Sequence, residues 1–162
     1  MRSILIAGLA AGFAVSARAE GSGDLAAHLK EAKVPLDKGI AASKAKGNPI
    51  SAKYEVEEGK LQLSVYTSKD GSFTEVIVDH KTGKLGDSKP ITSGDDLTAA
   101  KAQDEAMSKA KTSLQAADSK AVKSNKGYKA VSAMPSLKDG HPVAEVTLMK
   151  GGESKTVTVP LD

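Results

Sequence analysis

The chain has no cysteine and no tryptophan, only two phenylalanines and three tyrosines, and only two arginines, Arg2 and Arg18. Without cysteine there can be no disulfide, no thiolate nucleophile and no thiolate metal ligand. With so few aromatics, the core has to be built from Val, Ile, Leu and Ala, which points to the usual margin of several kcal/mol. The scarcity of arginine removes the planar fork that grips phosphate and guanine, which argues against nucleic acid as a partner. Missing as well are His-Glu-x-x-His, Gly-x-Ser-x-Gly and any glycine-rich loop opening a helix, so no metallopeptidase, serine-elbow or phosphate-loop chemistry is written in the sequence.

What is present begins with a leader. Arg2 supplies a positive start, Ile4 to Val15 is nearly all apolar, and Ala17-Arg18-Ala19 sets small residues at the positions a signal peptidase reads. A dozen apolar residues fall short of the roughly 20 that span a bilayer. The expectation is a signal peptide at residues 1–19, cut between Ala19 and Glu20, and a mature chain outside the cytoplasm, periplasmic or secreted, with no membrane span. Loss of Arg2 and Arg18 brings the formal charge from +3 to +1, so no basic field remains.

Along the mature chain, a helical lead-in is expected at 20–33, with Asp24 capping Leu25 to Lys33. A second helix runs from Leu36 to about Lys46 and is stopped by Gly47, Asn48 and Pro49. Strands are expected at Ile50 to Glu57, Leu61 to Ser68 and Phe73 to Asp79, with hairpin turns at Glu58-Gly59 and Asp70-Gly71. Gly86 to Gly94 reads as turn-rich connection. A helix from Leu97 to about Leu114, a polar loop or fraying helix end from Gln115 to Lys126, and strands at Lys129 to Leu137, Pro142 to Met149 and Lys155 to Val159 complete the reading. At an offset of 81 residues Ile50-Ser51-Ala52 aligns with Val131-Ser132-Ala133, Gly59 with Gly140, Val65 with Val146, and Val76 and Val78 with Val157 and Val159.

The residues Pro35 to Ala45, Gly47, Tyr54-Glu55-Val56, the Asp70-Gly71 turn and Val78-Asp79-His80-Lys81-Thr82-Gly83-Lys84 resemble the PepSY domain family. The resemblance is good over 34–89 and weaker over 97–162, where Thr-Gly-Lys is absent and Tyr128 precedes its strand. It implies an α+β fold of two PepSY-like units, each a helix packed on a three-stranded antiparallel meander: the first at 34–89, a linker at 90–96, and a degenerate second unit at 97–162. It also implies a non-enzymatic role in binding or inhibiting a secreted or periplasmic peptidase or another envelope protein, with no cofactor. Its motif residues are Tyr54, Asp79, Thr82, Gly83 and Lys84. A structural account covers the last four: an Asp at a strand end accepts from turn amides, and glycine takes positive φ.

The three histidines stand apart in sequence, and His28 with Glu31 falls short of the three or four ligands that zinc requires. The paired carboxylates Asp95-Asp96 and Glu57-Glu58 read as a helix cap and a turn entry. The leading expectation is strand or sheet-face recognition of an extended segment, with Phe73 to Asp79 and Lys155 to Val159 as candidate edges. A periplasmic carrier holding a small ligand or metal ion between the units is the alternative.

Overall fold

Alternation of Leu61, Leu63 and Val65 with Gln62, Ser64 and Tyr66 gives the strand at 60–69 two distinct faces, and the hairpin strands before and after it pair on either side. The structure, a computed structural model, describes residues 22–162. The expected leader, including Ala19 and Glu20, lies outside the described residues.

Seven strands form one antiparallel sheet in the order β4-β3-β2-β1-β5-β6-β7. They are β1 (Asn48–Glu57), β2 (Lys60–Lys69), β3 (Ser72–Val78), β4 (Leu85–Ile91), β5 (Lys129–Lys138), β6 (His141–Lys150) and β7 (Glu153–Pro160). This overturns the expected pair of separate meanders with one helix each, because β1 pairs directly with β5 through Ala52 opposite Ala133 and Lys53 opposite Ser132. The two apolar faces thereby fuse into one core. The linker is corrected too: Leu85–Ile91 is a strand running antiparallel to β3, so Phe73 to Asp79 is not an edge. The edges are β4 and β7. β4 escaped the sequence reading because it is an exposed edge, where Gly86 and Pro90 are tolerated and no alternation is required.

Four helices flank the sheet. α1 (Ser22–His28) continues into a 3-10 turn at Leu29–Glu31, so Asp24 lies inside the helix, where its carboxylate meets His28 rather than capping. α2 is Leu36–Ser43, and α3 is Gly94–Lys109. The segment Gln115 to Lys126, expected as a polar loop or the fraying end of the preceding helix, is instead mostly a separate helix, α4 (Leu114–Lys123), whose preceding Ser113 hydroxyl accepts from the Ala116 N–H as an N-cap. α2 and α4 cover the face carrying Leu63, Val65, Ala133 and Val146, and the main core lies between them and the sheet. α3 crosses the other face at one end, where Ile50, Phe73 and Ala100 make a smaller core. Ser51 donates to Gln103 at 2.7 Å and Ser68 to Asp104 at 2.5 Å, which pins α3 there.

The 81-residue offset recurs in the hydrogen-bond register. Ala52 faces Val65 as Ala133 faces Val146, and Val65 faces Val76 as Val146 faces Val157. The ladder shifts at Ile50 in β1 and at Val131 in β5, again 81 positions apart. The helices keep a different spacing, 78. The Lys33 and Val34 amides donate to the His80 carbonyl just before α2, and the Lys111 and Thr112 amides donate to the Leu161 carbonyl just before α4.

Candidate functional site: a cavity beside Asp118

On the helical side of the sheet, close to the β1–β5 seam, a cavity of about 390 Å³ opens between the segment 29–37, α4 and the strands. Leu29, Val34, Pro35, Tyr54, Val122 and Ala130 give it apolar walls. The polar groups along it are Asp37, Asp118 and Ser119, and Lys33, Lys123 and Lys129 stand exposed at its mouth. A concave, mainly apolar space of this size with a few convergent polar groups is the usual form of a small-molecule site.

The wall at Val34 is held in place by the motif residues. Asp79 Oδ1 accepts from the Lys81 and Thr82 N–H groups, both at 2.8 Å, and the Gly83 N–H donates to the Asp79 carbonyl at 2.7 Å, with Gly83 at φ +77°. This turn sets the His80 carbonyl where it accepts from Lys33 and Val34, at 2.9 and 3.0 Å. The Tyr54 hydroxyl donates to the Val34 carbonyl from below. Of the five sequence-predicted residues, Tyr54 therefore lines the cavity directly, and burial pushes its phenol up to about 12. Asp79, Thr82 and Gly83 act at one remove, by shaping the turn, and the Lys84 carbonyl accepts from the Asp79 N–H at 2.8 Å. The turn's own hydrogen bonds hold the Asp79 carboxyl below its ordinary value.

Asp118 is the residue that sequence reasoning missed. It is 1% exposed, and its Oδ1 has no hydrogen-bond partner. Burial pushes its carboxyl up to about 7, the neighbouring Asp37 adds to this, and a hydrogen bond from the Asp37 backbone opposes it. Asp37 lies in the first turn of α2, whose N-cap, Pro35, provides no side-chain cap. The Ser119 hydroxyl also reaches Asp37 at 3.3 Å. Among the described residues, neither carboxylate has a lysine or histidine within ion-pair distance.

The histidines lie elsewhere. His28 is placed between Asp24 and Glu31, His141 contacts Asp162 at 2.8 Å, and His80 has a buried Nδ1 without a partner. Among the described residues, no three His, Asp or Glu side chains come together as a metal would require.

No family model matches the chain, and no curated protein does. A crystal structure of a protein described as a lipoprotein of Clostridium difficile 630 superposes with a TM-score of 0.46 at 15% identity, over 81% of this chain and 88% of that one. A likeness at that level carries no argument about this chain. The PepSY resemblance therefore rests on the motif residues quoted above.

Proposed function

We propose that this chain is an exported, non-enzymatic binding module whose ligand is a small molecule seated in the cavity between α2, α4 and the β1–β5 seam. The observation that carries the reading is the cavity itself, a ready-made space of about 390 Å³ whose mainly apolar walls include Leu29, Val34, Tyr54, Val122 and Ala130, with the part-exposed Asp37 and Ser119 as polar groups on its lining. Export follows from the leader pattern at residues 1–19, with Ala17-Arg18-Ala19 before Glu20. The test is amide chemical-shift mapping of the mature chain, residues 20–162, against a fragment library. Shifts confined to 29–37, Tyr54 and 118–130, and abolished by filling the space with Val122→Trp, support the reading. Fragments that leave those amides unmoved in the native protein overturn it.

A second reading is favoured by β7, which has a neighbour on one side only. Its outer edge offers unpaired backbone groups to an extended segment of a secreted peptidase or other envelope protein, as the PepSY resemblance implies. Shift changes along Glu153–Pro160 on adding such a partner separate this mode from the first.

A further inference from the structure

We infer that the ligand of this cavity is an amphiphilic monoanion, whose apolar chain or ring enters the space and whose one acidic group stays among Lys33, Lys123 and Lys129 at the mouth. The inference rests on the small-ligand reading above and names its chemical class. Three observations carry it.

The first is where the apolar surface lies. Leu29, Val34, Tyr54, Val122 and Ala130 wall the space, and its volume of about 390 Å³ is that of a site for a small organic molecule. The Tyr54 hydroxyl is already taken by the Val34 carbonyl. Asp118 is sealed behind the wall, with its Oδ1 buried and the residue 1% exposed. A charged group pushed in among these walls would lose its water without gaining a partner, so the part of the ligand that enters is uncharged.

The second is the charge at the mouth. Three separate elements bring ammonium groups there: Lys33 from the segment before α2, Lys123 from the end of α4 and Lys129 from the start of β5. All three are exposed, and among the described residues none is in an ion pair. One part-exposed carboxylate stands against them on the lining, that of Asp37. It lies in the first turn of α2, where the helix dipole favours negative charge, and the Ser119 hydroxyl donates to it at 3.3 Å. The mature chain is close to neutral, so this excess of lysine belongs to the site and not to the surface at large.

The third is that the two surfaces adjoin. A neutral apolar ligand would use the walls alone, a cation would meet the lysines with the wrong sign, and a small polyanion would leave the walls empty. A ligand with one anionic end and an apolar remainder uses both. Lysine is a mobile point charge on an apolar stem, so the rim accepts a carboxylate, sulfate or phosphate end group alike while its stems extend the apolar surface.

The experiment is calorimetry on the mature chain, residues 20–162, with octanoate, octan-1-ol and octylammonium, which share a chain and differ in the head group. In low salt octanoate binds about tenfold tighter than octylammonium, since each exposed ion pair contributes a factor of roughly 1.5 to 5 and the wrong sign loses as much. The preference shrinks several-fold in about 0.5 M salt, while octan-1-ol, which reads the walls alone, is unaffected by screening. Joint replacement Lys33→Glu, Lys123→Glu and Lys129→Glu inverts the order in favour of octylammonium with circular dichroism retained. The same three changed to Gln level the two ligands, should the reversal disturb folding. Val122→Trp abolishes binding of all three ligands. If octylammonium binds the native protein as tightly as octanoate, or the preference survives the reversal, the anion inference is overturned, and octan-1-ol binding that Val122→Trp abolishes keeps the small-ligand reading. Octanoate that still binds Val122→Trp is held by the lysines alone, which overturns the inference as well. If none of the three binds the native protein, both readings are overturned.

Discussion

Asp118 occupies on α4 the place that Ile40 occupies on α2. Both are buried, at 1% and 0% exposure, so one half of the molecule closes its core with a hydrocarbon where the other places an ionisable group. That difference gives the fold a buried group that titrates.

The Asp118 carboxyl lies at about 7 in the folded chain against 3.8 for the ordinary group. The folded state holds this proton more tightly, so stability falls as pH rises between about 4 and about 7 and is level above. Asp118→Asn removes this decline. In urea unfolding at pH 8 the variant is more stable than the native chain by on the order of 2 kcal/mol, and the difference vanishes near pH 4. A difference that is flat across pH would show that Asp118 is solvated in the folded state.

Asp79 behaves in the opposite sense. Its carboxyl is held down by the Thr82 and Lys81 amides, so it stabilises the fold above its unfolded value and loses that contribution as pH falls through the folded one. Asp79→Ala lowers the melting temperature at neutral pH, and native chain and variant converge in acid. Because the turn positions Val34, the variant also weakens small-ligand binding while leaving Asp118 in place. Unchanged affinity would separate the turn from the cavity.

Gly47 sits against backbone. A Cβ there would lie 2.7 Å from the Ser68 carbonyl oxygen, which β-pairing with Asn48 keeps fixed. Gly47→Ala therefore costs about 1–3 kcal/mol through overpacking, read as a lower urea midpoint at unchanged slope. Gly83→Val is strained for a different reason: the nearest atom, Val34 Cγ2, is 3.8 Å away, but φ is +77°. Its cost is about 1–2 kcal/mol of backbone strain. A Gly83→Val protein that melts with the native chain yet loses ligand would assign the motif a direct role in binding.

The break between α3 and α4 depends on Ser113, whose hydroxyl accepts from Ala116 at 3.2 Å. Ser113→Ala costs about 1 kcal/mol, seen in thermal unfolding. The loss extends to the cavity, because α4 carries Asp118, Ser119 and Val122. Ser113→Asp, which keeps an acceptor at the cap, restores it.

The hairpins were legible because their signals are local. Glu58-Gly59, Asp70-Gly71 and Asp139-Gly140 all take positive φ between alternating strands. β4 was not legible, since an exposed edge strand containing Gly86 and Pro90 looks like a linker until its partner β3 is known. α4 was hidden by Asp118, which interrupts the apolar face of Leu114, Ala117 and Ala121, so the segment reads as polar. The motif around Asp79 was read as a turn, and it is one. Its connection through the His80 carbonyl to the cavity wall depends on a contact between segments almost 50 residues apart, which no local pattern carries.

The seam at Ala52 and Ala133 has one more consequence. Only two residues on each strand pair there, against nine on each side of the β1–β2 hairpin, so the weakest ladder of the sheet runs through its middle. The equivalent residues Ala52 and Ala133 face each other across it, and once parted each half exposes an edge that the opposite half of another copy fits by the same pairing. Parting the seam also opens the shared core, so exchange between copies is expected only from the unfolded chain. Refolding at high concentration yields a dimer with native strand pairing throughout, and the hinge for that exchange is the stretch from Thr92 to Gly94 between β4 and α3.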